Sequence, residues 1–186
     1  TKVSGTRTYW YQPTEEADTF ILYTAADFRG FQQISKTSNF AENGKKDTVK
    51  LGADIDLNPG WVASLSSYAS ATKWDPIGYW GGSTSSKPFA GIFDGDMHSI
   101  SGVCVRKWSH TLGLFGQVDG AVIKNFELKN SYFFTSPGAD KNGFTGSIAG
   151  ILDGTLENVK CDETVFVTSD AKAQYNGGMV GKSTNG

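Results

Sequence analysis

The stretch Ile123-Lys124-Asn125-Phe126-Glu127-Leu128 decides the fold, because the chain repeats its pattern. The same order of side chains (apolar, small or polar, small or polar, apolar, variable, apolar) occurs in Ile100-Ser101-Gly102-Val103-Cys104-Val105 and in Leu156-Glu157-Asn158-Val159-Lys160-Cys161. One such unit is too short to bury its own apolar side chains, so the units must stack on one another. A turn that contains glycine precedes each unit: Phe93-Asp94-Gly95, Val118-Asp119-Gly120 and Leu152-Asp153-Gly154.

A second series of short motifs alternates with the first. It comprises Gly113-Leu114-Phe115-Gly116, Ser147-Ile148-Ala149-Gly150 and Gly178-Met179-Val180-Gly181. Two interleaved series at unequal spacing indicate coils of short strands joined by loops of variable length. The pattern therefore favours an all-β fold, a right-handed parallel β-helix. The alternative is an antiparallel sandwich or barrel, which fits less well because Asn-Gly hairpin signals are scarce and corresponding strands recur in the same order.

The chain before the repeats predicts one helix, at residues 24–38. Thr24 is a good N-cap, and Asp27 can complete a capping box. Apolar side chains at Phe28, Phe31 and Ile34 form one stripe. A single amphipathic helix among strands is expected to cap the N-terminal end of the stack, where strand edges would otherwise be free.

We expect one β-helix domain over residues 1–186. Residues 1–47 hold the capping helix and two strands, Thr8-Tyr9-Trp10-Tyr11 and Thr19-Phe20-Ile21-Leu22-Tyr23; residues 48–186 hold the coils, with an insertion at 59–88. The last residues begin a further coil without the cap that solenoids need, which predicts a C-terminally truncated stack. Such an end could pair with another copy.

Several segments resemble the GLUG repeat of bacterial surface and secreted proteins, some of which carry immunoglobulin A peptidases. The motifs at 113–116 and 178–181 carry the resemblance, as do Trp74-Asp75-Pro76-Ile77-Gly78, Leu51-Gly52-Ala53-Asp54-Ile55-Asp56-Leu57 and the run from Phe89 to Val103. Ser147 and Asp96 depart from the pattern without threatening the fold. The resemblance implies a solenoid from a large surface protein and supplies no catalytic residues.

Composition excludes some functions. The net charge is -2 and no basic block stands out, so nucleic acid binding has no electrostatic footprint. No apolar run approaches a membrane span, and no residue pattern calls for a cofactor. Cys104 and Cys161 are predicted to be free, with Cys161 inward beside Leu128 and Cys104 at the outward position of Glu127 and Lys160.

Acidic residues give weak site signals. Asp54, Asp56 and Asn58 alternate along a predicted strand, so their oxygens would share one face and could bind calcium. Calcium prefers six or more ligands, so the favoured reading is a solvated face with no metal bound. On neighbouring coils the outward pairs Lys124–Glu157 and Glu127–Lys160 predict a ladder of salt bridges and not a catalytic cluster.

The insertion is the better candidate for ligand binding, because it is long and rich in aromatic residues. Trp61, Tyr68, Tyr79 and Trp80 could stack on sugar rings or bind a protein. Trp74 is expected to be structural. The favoured interpretation of the set is nevertheless that these rings pack against the coils, because large aromatic side chains are more often mostly buried.

Three functions remain open. The favoured one is a non-catalytic module of a bacterial surface or secreted protein, located outside the cell, which acts as a spacer or as an adhesin for host glycan or protein. The second is a carbohydrate-active β-helix enzyme, which requires a groove with three acids or a Lys/Arg pair. The third is an accessory domain beside a secreted peptidase. The sequence does not decide whether the chain is an enzyme, but it favours the hypothesis of a non-catalytic protein.

Overall fold

The computed structural model describes residue 11 and residues 16–78, 87–107, 111–135, 143–169 and 175–184. Over these residues the structure is mostly β, with a parallel β-solenoid of about four turns and a single short helix. In chain order the elements are β1 (Thr19–Leu22), α1 (Ala25–Ile34), β2 (Ala41–Glu42), β3 (Lys45–Lys46), β4 (Thr48–Leu51), β5 (Ile55–Asp56), β6 (Ile92–Asp94), β7 (Ser99–Ser101), β8 (Cys104–Lys107), β9 (Thr111–Leu112), β10 (Phe115–Lys129), β11 (Ser131–Thr135), β12 (Phe144–Thr145), β13 (Ala149–Cys161), β14 (Val165–Ser169), β15 (Tyr175–Asn176) and β16 (Val180–Ser183). The predicted strand at 8–11 lies outside the described residues, apart from Tyr11.

Three parallel sheets form the walls of the solenoid. Sheet A runs β1-β4-β6-β10-β13-β16, with β7 paired to β10 and β5 paired to β7; sheet C has the order β14-β11-β8, and sheet D has the order β15-β12-β9. Each strand lies beside its equivalent from the next turn of the chain, which is the defining feature of a solenoid. The only antiparallel pair among the described strands is the small hairpin β2-β3.

Most of the predicted register is confirmed. Ile123 pairs with Leu156 and Leu128 with Cys161, as the first repeat series requires. In the second series, Ala149 lies between Phe115 and Val180. Like residues therefore stack on like residues, and their apolar side chains form one continuous core.

The predicted alignment of residues 100–105 with 123–128 is wrong. Ile100 pairs with Leu128, and Phe93 pairs with Ile123. The reason is the corner between the two strands, which takes residues 95–98 in this turn but only 125–126 in the next. The longer corner contains two residues in the left-handed region, Asp96 at φ 48° and Met97 at φ 69°. The placement of Cys104 beside Glu127 falls with this alignment, because Cys104 pairs with Tyr132.

A ladder of amides stabilises the shorter corners. Asn125 and Asn158 have positive φ values of 59° and 50°, a conformation that asparagine tolerates better than most residues. The Asn158 amide donates to Asn125 Oδ1 at 3.2 Å, and the Asn125 amide donates to Asp94 Oδ1 at 3.1 Å. These two asparagines turn the chain, so they are not simply outward positions of a strand.

The predicted helix is shorter than expected, since α1 ends at Ile34 and residues 35–37 form a turn. Its capping box is confirmed: the Thr24 hydroxyl accepts from the Asp27 N–H, and the Asp27 carboxylate accepts from the Thr24 N–H. The apolar stripe is buried. Phe28 lies with its ring 5.2 Å from the Trp74 ring, and Phe31 lies 6.0 Å from Phe93.

The residues predicted to form the salt-bridge ladder are neighbours in the sheet, but they form ion pairs with other residues. Lys124 lies beside Glu157 and Glu127 beside Lys160 in the sheet. Lys124 instead pairs with Asp94 at 3.6 Å, and Glu127 with Lys129 at 2.9 Å. In the described part of the chain, no helix has the length and apolarity to cross a membrane.

Candidate binding surface

Residues 59–78 form the third side of a solenoid turn. The Trp74 N–H donates to the Cys104 carbonyl at 2.8 Å, so the segment lies along the free edge of β8. Ile77 then bridges to Phe115 and joins the column of the second repeat series. The first part of the predicted insertion therefore occupies the place of a missing strand of sheet C.

Two asparagines fix this segment to the solenoid. Asn58 is buried, and its side-chain amide donates to the carbonyls of Thr72 at 2.9 Å and Gly102 at 2.7 Å. Asn58 Oδ1 also accepts from the Thr72 N–H at 2.7 Å. From the next turn, Asn130 donates to the Trp61 carbonyl and accepts from the Ala63 N–H. The segment is thus held by polar contacts at both of its ends.

The predicted oxygen cluster does not form a common face. β5 ends at Asp56, and Asn58 beyond it is buried, whereas Asp54 and Asp56 are exposed. Asp54 accepts from the Ser99 N–H, which lowers its pKa below the usual value, and lies 3.4 Å from His98. Asp56 accepts from the Asn58 N–H. Among the described residues, no group of three His, Cys, Asp or Glu side chains could hold a metal.

Tyr68 reaches over the outer face of sheet C. Its ring lies 6.4 Å from the Tyr132 ring at 19°, so the two rings stack. Tyr132 is 2% exposed and Cys104 is fully buried beneath the segment, although both point away from the core. Phe166, the next residue in this row, is 42% exposed, and no described segment covers it.

A small cavity of about 130 Å³ lies where Tyr68 meets the sheet. We call this region, together with Phe166, the Arg106 surface. Its lining mixes rings, an aliphatic side chain and one cation. The lining residues are Leu65, Tyr68, Arg106, Tyr132 and Phe134.

Arg106 is the central charge of this surface. Its guanidinium carbon lies 4.1 Å from the centre of the Tyr68 ring and 5.3 Å from that of Phe134. Cation–π contacts of this kind orient the guanidinium plane without using its N–H donors. Within the described residues, exposed Arg106 has neither a hydrogen bond nor an ion pair, so these donors face solvent.

Two cations, Lys73 and Arg106, lie near Cys104. Burial raises the pKa of this thiol, while the charges of Lys73 and Arg106 act in the opposite direction. The Lys73 ammonium donates to the carbonyls of Tyr68 and Ala71 and lies 5.7 Å from the Tyr68 ring. Two cations therefore flank one aromatic ring.

A larger open groove of about 600 Å³ runs along the other side of the segment. Its lining is Leu57, Asn58, Pro59, Gly60, Trp61, Val62, Ser67, Ser70 and Thr72. The Trp61 indole N–H already donates to the Ser67 carbonyl at 2.9 Å, and the Asn58 amide is also occupied. This groove offers space and one half-buried ring but no charged side chain, so it has less to specify a ligand.

The structure brings together only part of the predicted aromatic set. Tyr68 lies in the Arg106 surface, whereas half-buried Trp61 lies in the groove. Tyr79 and Trp80 lie outside the described residues. Trp74 is buried, as expected, and its indole donates to the Leu114 carbonyl. Both cysteines are free, as predicted.

Sequence reasoning missed Leu65, Arg106, Phe134 and Phe166. One signal was present in the run Tyr132-Phe133-Phe134. Alternate residues of a strand point to opposite faces, so three successive aromatic residues require that both faces of β11 be apolar. The position of Arg106 against Tyr68 depends on tertiary structure and has no local signal.

The fold and this surface define the class of protein as a parallel β-solenoid with a covered outer wall. The chain is similar to halomucin of Haloquadratum walsbyi, with 32% identity over 127 residues. The match covers 67% of this chain but only 1% of halomucin. No family model matches the chain, and no solved structure matches it.

Proposed function

We propose that this chain is a non-catalytic module of a cell-surface or secreted protein, which acts outside the cell as an adhesin-like binding domain. The observation that carries the proposal is the Arg106 surface: exposed apolar and cationic side chains on the outer wall of a solenoid. Soluble proteins seldom leave such side chains clustered without a partner. A glycan or a protein of another cell is the expected ligand.

The repeat architecture supports this role. A stack of coils provides a rigid wall on which loops of different length can be added without changing the core. The similarity to a small part of halomucin fits a module of a much larger chain. The resemblance of residues 113–116 and 178–181 to the GLUG repeat agrees with a surface location.

We further propose that the solenoid is right-handed and that α1 caps its N-terminal end. Parallel strands joined by a crossover are right-handed in about 98% of cases. The contacts of Phe28 and Phe31 with Phe93 support the cap, since they pack α1 against the aromatic core inside the first strands of sheet A. A helix in this place hides apolar side chains that the first coil would otherwise expose.

Arrays of glycans and of host proteins test the binding role directly. We expect the intact chain to bind at least one class of ligand in a saturable manner. Replacing Phe134 and Phe166 together by serine should weaken that binding about tenfold or more, because exposed aromatic anchors supply much of the energy of such contacts. The matched control is Tyr175→Ser, which removes a ring that is 50% exposed on sheet D.

Two results would contradict the proposal. One is the absence of any ligand on both arrays. The other is binding that the Phe134→Ser/Phe166→Ser variant keeps unchanged, which would move the binding site away from sheet C.

A further inference from the structure

We propose that the Arg106 surface binds an acidic saccharide, a sugar ring that carries a carboxylate or sulfate group. The inference rests on the proposed binding function and adds the chemical class of the ligand. The acidic group would lie against the guanidinium edge of Arg106, and the sugar ring against the neighbouring apolar side chains.

The orientation and the unused N–H donors of Arg106 indicate that the ligand carries an anionic group. A guanidinium presents N–H donors in a planar fork that fits a carboxylate or sulfate with two parallel hydrogen bonds. In this protein the plane is already oriented by the Tyr68 ring at 4.1 Å and the Phe134 ring at 5.3 Å. Its donors have no partner among the described residues. The fork is therefore prepared for a ligand at little cost in side-chain entropy.

The local charge favours the same ligand. Lys73 also lies near the Tyr68 ring, and its ammonium is 5.7 Å from the ring centre. None of the five side chains that line the cavity is acidic. The two cations thus create a positive potential that is not neutralised within the lining.

The shape favours a sugar ring over an extended peptide. The cavity of about 130 Å³ is small, and Leu65, Phe134 and Phe166 offer apolar surface around the cation. An acidic peptide would most simply bind by adding a strand to a sheet edge. At the β8 edge of sheet C the Cys104 carbonyl already accepts from the Trp74 N–H, so an added strand would have to displace this contact.

Titration calorimetry with the whole chain at low salt tests the inference. The ligands are an oligogalacturonate, a sulfated galacto-oligosaccharide, the neutral galacto-oligosaccharide and an oligoglutamate peptide. We expect the neutral sugar and the peptide to bind about tenfold or more weakly than the better acidic sugar. Comparing the affinities of the two acidic sugars shows whether the site prefers a carboxylate or a sulfate group. Added sodium chloride should weaken binding of the acidic sugar.

Variants test whether Arg106 is responsible for binding the acidic sugar. Arg106→Gln should reduce affinity for the acidic sugar about tenfold or more, and Arg106→Lys should restore little, because lysine keeps the charge but loses the planar fork. The matched control is Lys182→Gln, which removes one positive charge beside the Phe144 ring on another wall. For the unchanged protein, NMR shifts of the Arg106 Nε–H on addition of the acidic sugar give a measurement that needs no variant.

Four results would overturn the inference: equal binding of neutral and acidic sugars, acidic binding that Arg106→Gln leaves unchanged, equal binding of the oligoglutamate peptide, or no binding of either acidic sugar. The last result, together with a ligand found on the arrays, would leave the binding function standing and remove only the acidic saccharide. Absence of any ligand on the arrays would remove both.

Discussion

The two faces of sheet C are built from alternate residues of the same strands, yet one face belongs to the core and the other to the candidate binding surface. The inner face carries Val105 and Phe133, which are fully buried in the solenoid core. The outer face carries Arg106 and Phe134, which meet Tyr68 from a distant part of the chain. The inner face depends on the repeat, whereas the outer face depends on one segment that the repeat does not contain. Stability and binding should therefore respond separately to mutations of neighbouring residues.

The largest effect is expected from breaking the inner face. Phe133→Ala removes a fully buried ring and leaves a cavity, which should lower the free energy of unfolding by about 3–5 kcal/mol. Phe134→Ala, at the next residue, should cost about 1 kcal/mol or less, because its ring is only half-buried. Denaturant unfolding measures both. Equal losses would contradict the division of the two faces.

A smaller effect is expected from detaching the segment that covers the outer face. Asn58→Ala removes three hydrogen bonds, one of them to the buried carbonyl of Gly102 and two to the backbone of Thr72. We expect a loss of about 2–3 kcal/mol in unfolding free energy. Hydrogen exchange should also become faster at the Trp74 amide. Asn176→Ala, which loses one exposed hydrogen bond, is the control and should be nearly neutral.

A third effect depends on pH. Burial raises the pKa of Cys104 and of Cys161 above the ordinary value of 9.0, so folding favours the protonated thiols. This contribution to stability is complete below the unfolded-state pKa and is lost as the pH rises through the folded-state values. Unfolding free energy should therefore fall as the pH rises above the unfolded-state pKa of the thiols. Because Cys104→Ser removes one titrating group, its curve should fall less steeply; an equal slope would show that Cys104 is not desolvated.

The smallest effect is expected on the outer face of sheet A, which carries charges in place of rings. Lys124→Gln removes the 3.6 Å contact with Asp94, and partly exposed ion pairs of this kind contribute little. We expect unfolding free energy to change by less than about 0.5 kcal/mol in a denaturant titration. A loss of several kcal/mol would mean that outer faces contribute to the fold as much as the core does.

The sequence predicted the strand register correctly where the corner between two strands was short, and wrongly where it was long. Leu128 and Cys161 were placed beside each other correctly, because both turns use a single left-handed asparagine at the corner. The predicted partner of Ile100 was wrong, because residues 95–98 lengthen the corner before it. A pattern of apolar residues does not reveal how many residues a corner contains. The helix start at Thr24 was predictable from its capping box, which is a local interaction.

The candidate site was predictable only in part, for a related reason. An aromatic-rich insertion drew attention to Tyr68, but its partners Arg106 and Phe134 belong to strands far away in the chain. Cys104 was correctly expected to face away from the core, yet it is buried because the segment at 59–78 covers it. Which outer residues become covered depends on where a long loop lies, and sequence periodicity carries no information on that.

The most direct test of the stacked parallel coils is an NMR measurement of backbone contacts at Leu128. The register places Leu128 between Ile100 of the preceding turn and Cys161 of the following turn. We expect interstrand NOEs from Leu128 to both residues, with the Hα-to-amide pattern of parallel strands. Strong Hα–Hα contacts of an antiparallel pair, or NOEs that join Leu128 to Val105 in place of Ile100, would contradict the solenoid and its register.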